Sequence, residues 1–243
     1  MIEWLDEGAE LIAVAVGIYL ALSLLSRRNV RWAEGFSRWK FAAMLLIAAT
    51  VVLIEVTAQV LDHESTAIDR MVLLSIHRGV PAFLVPVFTA ATRSGSAAFL
   101  VPAVAIACIG LAWRRHPFDA LALALTTGTA SLVVYLAKTA VGRDRPELWT
   151  TNWYWGSSFP SGHTLSTAAI ATAAYFCTVR LRPEWRKPAF AIACGWVAMV
   201  GMSRLVLGVH WPTDVIAAAC AGLLVAVAVN VALLRFRNME LTT

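Results

Sequence analysis

Two histidines, two aspartates, one lysine and three arginines are gathered in three short stretches of this chain, and their types suit the handling of an anion. The first stretch is Lys138-Thr-Ala-Val-Gly-Arg-Asp-Arg145-Pro146, and the second is Phe159-Pro160-Ser161-Gly162-His163. The third is Ser203-Arg204-Leu-Val-Leu-Gly-Val-His210-Trp-Pro-Thr-Asp214. Arginine makes bidentate contact with phosphate oxygens, whereas lysine acts as a point charge. In the second stretch, Pro160 and Gly162 permit a sharp entry into a helix with Ser161 as its N-cap. Backbone N–H groups and the positive helix end would then face the anion. In the third, His210 and Asp214 are four residues apart, which places them side by side on a helical turn. Asp214 can accept a bond from one ring nitrogen of His210, fixing the tautomer and leaving the other nitrogen free to attack phosphorus. Pro212 fits the first turn of the helix that follows.

The elements that must position these groups are set by an apolar composition. The 243 residues are 59% hydrophobic and 14% charged, with a mean hydropathy of +0.70. Soluble domains carry about 25% charged residues. A chain of this size cannot hide so much apolar surface in a core of its own, so the bilayer is its solvent. Seven stretches come close to the roughly 17–25 apolar residues a spanning helix needs. They are 8–26, 41–61, 95–113, 118–138, 164–180, 188–207 and 213–235. Residues 66–92 contain Pro81 and Pro86 and read as interfacial or re-entrant. The fold expected is an all-α polytopic transmembrane bundle of six or seven spans, with no internal repeat and no linker long enough to separate two domains.

Charge sets the orientation. The stretches 27–40, 114–117 and 180–187 and the carboxyl-terminal tail hold 13 of the 20 basic residues. With seven spans all four lie on one side, which the positive-inside rule makes cytoplasmic. The net charge of +5 is therefore read as membrane orientation and not as a sign of nucleic acid. The acidic start Met1-Ile-Glu-Trp-Leu-Asp-Glu argues against a cleavable signal peptide. Two spans separate the first two chemical stretches from the third, so all three emerge on the opposite, outer face. Three cations brought together there repel one another unless an anion lies between them, and a multiply charged phosphate fits best.

The three stretches resemble the tripartite signature of the type 2 phosphatidic acid phosphatase (PAP2) superfamily: Lys-x6-Arg-Pro, Pro-Ser-Gly-His and Ser-Arg-x5-His-x3-Asp. Every signature position is filled. The motifs run from 138 to 214 and the resembling helical core from about 66 to 235. That divides the chain into two amino-terminal helices with a basic loop (1–65), a PAP2-like catalytic core (66–235) and a cytoplasmic tail (236–243). The resemblance implies a metal-independent phosphatase with a phosphohistidine intermediate and no cofactor. In it His210 is the nucleophile, Asp214 orients it, and His163 protonates the leaving group and then activates water. Lys138, Arg145, Arg204, Ser161 and the Gly162 N–H hold the phosphate oxygens.

Other residues receive plainer readings. Arg143 has no signature position and is assigned to solvation or lipid headgroups. His63, His77 and His116 are read as surface or interface residues. The four cysteines, Cys108, Cys177, Cys194 and Cys220, lie in apolar runs without a CxxC pair and read as small buried hydrophobes. Glu55 and Gln59 lie one turn apart in the second span; the ionisable Glu55 is near its outer end, where it equally reads as pairing with a neighbouring helix, and it is left off the site. The aromatic stretch Trp149-Thr-Thr-Asn-Trp153-Tyr154-Trp155 reads first as an interfacial belt, and second as a lining for the lipid's path to His210.

The expected substrate is a phosphorylated lipid: undecaprenyl diphosphate, phosphatidylglycerol phosphate, phosphatidate or lipid A phosphate. Membrane lipids are the remaining partners, and no signal for an oligomeric state is present. The expected location is a bacterial inner membrane with the site on the periplasmic face. Two alternatives share the charge pattern. A phosphotransferase would pass the same intermediate to a lipid acceptor. A transporter of phosphorylated lipids would spread its charges through the membrane depth and usually carry an internal repeat.

Overall fold

The computed structural model describes residues 17, 30–149 and 156–240. The chain divides into two compact units, 1–55 and 56–243. Helix α1 (Val30–Leu61) runs from the first into the second. Of the expected spans, 8–26 lies outside the described residues apart from Gly17, and the basic stretch from residue 30 onward is already helical.

The second unit is built of helices: α2 (Thr66–Gly79), α3 (Val85–Ser94), α4 (Ala97–Trp113), α5 (Pro117–Val141), α6 (Gly162–Leu181), α7 (Arg186–Val206) and α8 (Pro212–Glu240). Short 3-10 turns at Ala82–Leu84 and Pro183–Trp185 precede α3 and α7. No strand occurs among the described residues, as the composition leads one to expect. Among the described residues four helical stretches are long and apolar enough to cross a membrane: Lys40–Leu61, Pro117–Val141, Pro183–Val206 and Pro212–Met239. Helix α4 is apolar but has only 17 residues. Helices α2 and α3 together would make a fifth span, but they are bent by 95° at the break. Val80 is extended there, at φ −91° and ψ 115°, because a residue before proline is driven out of the helical region. The proline at position 81 thus breaks residues 66–94 into two helices at 95°, the shape of a broken span or a re-entrant loop.

The expected span 164–180 is helical, yet it is not apolar enough to stand in that group. Its position explains why. Helix α6 packs most extensively on α8, and also on α5 and α7. Leu165, Thr164, Thr167, Ala168, Ala169 and Ala173 are all buried. A helix enclosed by other helices meets little lipid, so threonine and alanine serve where leucine would otherwise be required. Close approach to α8 depends on Gly222, where a Cβ would stand 2.4 Å from the Leu165 carbonyl oxygen. The outer surface is the reverse: Ile106, Ile109 and Ile192 are each more than 65% exposed, as lipid-facing side chains should be.

The bundle end away from the chemical stretches is tied by ions. Arg180 in the last turn of α6 donates to Asp119 of α5 at 2.7 Å and to Asn230 of α8 at 2.7 Å. Its guanidinium and that of Arg237 both lie over the Phe118 ring, at 5.0 and 4.6 Å. By sequence Arg180 belongs to a solvated basic loop, but Asp119 and Asn230 draw it into the bundle. The cysteines are all free thiols, and only Cys177 is fully buried. Cys194 is exposed, because it lies on the outer face of α7.

Candidate active site

All three chemical stretches converge at one end of the second unit. Lys138 lies in the last turn of α5, His163 in the first turn of α6, Arg204 in the last turn of α7 and Asp214 in the first turn of α8. His210 occupies the connection between α7 and α8. His163 is within electrostatic reach of Arg204, His210, Arg145 and Lys138. Asp214 and Arg204 likewise act on Lys138.

His210 is buried at 2% exposure and gripped on both ring nitrogens. Its Nδ1 stands 3.3 Å from Asp214 Oδ2, and its Nε2 stands 3.3 Å from an Arg145 guanidinium nitrogen. An ionised carboxylate only accepts, so Nδ1 carries the proton and Nε2 offers a lone pair. Asp214 Oδ2 also accepts from the Trp211 backbone N–H at 2.9 Å. Arg145 is braced by the carbonyl oxygens of Val209 at 2.8 Å and Gly156 at 3.2 Å. Lys138 Nζ donates to the Ser157 carbonyl. Arg204 is fully buried and donates to Thr92 Oγ1, so α3 forms one wall of the site.

Burial pushes the His210 imidazole down to about 4; the bond and charge of Asp214 pull it up, and Arg204 and Arg145 push it further down. A base with that value stays neutral as pH falls from about 8 to about 5.5, whereas an unperturbed imidazole gains its proton near 6.5. We expect the 15N ring shifts of His210 in the ligand-free enzyme to remain those of a neutral Nδ1–H tautomer across that window. A transition centred near 6.5 would show that burial does not control this ring.

The helix entrance differs from the expectation in one detail. Ser161 holds the N-cap position of α6, at φ −66° and ψ 106°, but its side chain caps no backbone N–H. Its hydroxyl pairs with Thr164 Oγ1 at 3.1 Å, and its N–H donates to the Asp214 carbonyl at 3.2 Å. Gly162 allows the helix start to lie against α5, since a Cβ there would be 3.3 Å from Val134 and 3.9 Å from Lys138.

The assignment of Arg143 to solvent or headgroups is overturned. Its side chain is 9% exposed and bridges two acids, Asp214 at 2.7 Å and Asp69 of α2 at 2.7 Å. It also donates to Thr213 Oγ1 at 2.8 Å and Ser65 Oγ at 3.0 Å. The return of the chain at 156–160 turns Arg143 inward: the Ser158 N–H donates to the Arg143 carbonyl at 2.8 Å, and Ser158 Oγ donates to the Asp144 carbonyl at 3.0 Å. Sequence reasoning misses Asp69 altogether. Its signal is an acid in the first turn of a membrane-associated helix. His77 is exposed but stacks on Trp149, with centroids 4.0 Å apart and planes at 21°. Trp149 in turn lies over Gly208, where φ is +67° and a Cβ would meet the indole at 2.5 Å. The rest of that aromatic stretch, including Trp153, Tyr154 and Trp155, lies outside the described residues. Among the described residues no three His, Cys, Asp or Glu side chains come together as a metal site requires.

Apolar helices carrying two imidazoles and a ring of cations at one end describe a membrane-embedded enzyme that handles a phosphorylated group. The PAP2 superfamily model matches residues 119–237. Phosphatidylglycerophosphatase B of Bacillus subtilis is 33% identical over 141 residues, 57% of this chain and 70% of that protein. Lipid A 1-phosphatase of Porphyromonas gingivalis is 37% identical over 108 residues, 44% of this chain but only 21% of that protein. Among solved structures, the transmembrane PAP2 type phosphatidylglycerolphosphate phosphatase from Bacillus subtilis superposes with a TM-score of 0.70 at 28% identity. That match covers 76% of this chain and 93% of the other. The chain belongs to the PAP2 superfamily, as a membrane lipid phosphatase.

Proposed function

We propose that this enzyme hydrolyses a lipid phosphate or diphosphate monoester by two displacements at phosphorus through a phosphohistidine. The observation that carries the reading is His210 itself, buried and oriented by Asp214 on Nδ1 with Nε2 directed at the cationic cluster. In the first step Nε2 bonds to phosphorus as the bond to the leaving oxygen breaks. His163, whose ring is pushed down to about 3 by burial and the surrounding cations in the ligand-free enzyme, takes up a proton together with the anionic substrate and gives it to that oxygen. The ring keeps the proton on Nδ1 and becomes a positive phosphoimidazole facing Asp214. In the second step His163 takes a proton from water, the water oxygen bonds to phosphorus and the N–P bond breaks. Arg145, Lys138, Arg204, Ser161 and the Gly162 N–H hold the phosphoryl oxygens as charge builds on them.

The relatives act, by their names, on phosphatidylglycerol phosphate and lipid A 1-phosphate, so both are first substrates to try; undecaprenyl diphosphate and phosphatidate complete the set. The excess of basic residues on the opposite side supports a site on the extracytoplasmic face of a bacterial inner membrane. The mechanism needs no metal, since cationic side chains supply the charge stabilisation. Phosphate release from these four lipids in detergent, with and without chelator, tests both points. Turnover of at least one lipid, unchanged by chelator, is expected. Activity that chelator removes and a divalent ion restores would refute the metal-free mechanism.

A further inference from the structure

Two carboxylates and one guanidinium are buried side by side behind His210. Asp69 is 1% exposed and Asp214 0%, with Arg143 between them. Charges so placed are costly unless each is fully partnered. Here they are. Asp214 Oδ1 takes one arm of Arg143 at 2.7 Å, and Asp69 Oδ2 takes the other at 2.7 Å. Asp69 Oδ1 accepts the Thr213 backbone N–H at 3.0 Å, and Asp69 Oδ2 accepts the Thr213 hydroxyl at 2.6 Å. A carboxylate of α2 therefore satisfies a donor in the first turn of α8 and lies near the positive end of that helix. It fixes the residue next to Asp214.

The charge count matters as much as the geometry. Two acids and one arginine leave a net negative charge, which the ring of His210 balances when it becomes a cation. With Arg143 alone, the charge of Asp214 would be largely neutralised by its 2.7 Å partner, while its contact with His210 is 3.3 Å. Asp69 draws some of the guanidinium charge to itself, so Asp214 keeps charge to offer.

We propose that Asp69 and Arg143 are positioning residues for phosphoryl transfer: Arg143 holds the Asp214 carboxylate in place, and Asp69 shares the Arg143 charge so that Asp214 can stabilise the positive ring of phosphorylated His210. The proposal rests on His210 being the nucleophile. It links helix α2, which carries no signature residue, to the reacting nitrogen through Asp69, Arg143 and Asp214.

The test uses the full chain in detergent with a short-chain phosphatidate as substrate and inorganic phosphate as inhibitor. Asp69→Asn keeps an acceptor for the Thr213 N–H but removes the charge. Losing an outer partner that orients a metal-bound histidine typically costs about 10- to 100-fold, and a loss of the same order is expected for the charge behind Asp214. We expect kcat of Asp69→Asn to fall about tenfold or more, with KM and phosphate inhibition within about twofold of wild type. Adding Arg143→Met should then raise kcat at least about threefold above the single variant, because it frees Asp214 from an unshared cation. A purely structural role predicts the opposite, a double variant slower than either change alone. A folded Asp69→Asn enzyme with wild-type kcat, or a double variant that gains nothing, overturns the proposal. If Asp69→Asn does not accumulate as folded protein, the double variant, in which Asp214 keeps the His210 Nδ1–H and the Trp211 N–H as its partners, decides. A kcat within about tenfold of wild type supports the proposal and a larger loss overturns it. His210→Ala is assayed in parallel. If it still turns over, the nucleophile reading fails; if it is inactive while Asp69→Asn is unimpaired, only the proposal fails.

Discussion

His210→Ala is expected to release phosphate at least about ten thousand times more slowly than the wild-type enzyme, on every lipid tested. Without the ring no N–P bond forms, and what remains is the electrostatic pull of the cationic pocket on a bound phosphate. The pocket itself should survive. Asp214 remains held by Arg143 and by the Trp211 N–H, and Arg145 by the carbonyls of Val209 and Gly156. Inorganic phosphate should therefore bind His210→Ala within a few-fold of wild type, as equilibrium dialysis would show. With 32P-labelled substrate and an alkaline quench, wild type should carry label on the protein and the variant none. Label retained by His210→Ala would place the nucleophile elsewhere.

His163→Ala should fail in a different way, because proton transfer serves both steps. General acid–base catalysis is worth about 10²–10⁴-fold, so turnover of a lipid phosphate, whose alkoxide leaves poorly, should fall by that amount. A nitrophenyl phosphate ester needs no proton on its leaving group. With it the first step should recover while the second, which needs His163 to activate water, stays slow. The expected result is a burst of nitrophenolate equal to the enzyme concentration, followed by slow turnover and persistent protein-bound label. A variant that shows no burst, and is equally slow on both esters, would remove His163 from the role of proton donor.

Both variants lean on residues that could be picked out of the sequence, whereas the proposal behind His210 could not. His210, Asp214, His163 and the three signature cations are close along the chain or fall at helix ends. Helical periodicity and the parity of the spans therefore bring them to one face without further knowledge. The bundle itself follows from composition, since apolar runs of this length admit little but helices. The break after Gly79 was legible through Pro81, although the part of α3 in offering Thr92 to Arg204 was not. Helix α6 is recognisable as a helix, but its burial between α5, α7 and α8 makes its sequence more polar than that of a lipid-facing span.

Arg143 and Asp69 show where the sequence stops. They are 74 residues apart, on a loop and on a helix with no periodic relation between them. Nothing along the chain distinguishes Arg143 from a headgroup contact, because a charge at a helix end is ordinary when seen alone. Its meaning depends on which way the 143–145 segment turns, and the return of the chain through Ser158 decides that. The sequence by itself determined the family, the membrane setting and the convergence of the three stretches at one end of the bundle, because these follow from residue type, local spacing and the count of apolar runs. Only the tertiary structure decided which charges share a proton or a partner, since buried electrostatics depends on separations of about 3 Å between groups the chain order leaves unrelated.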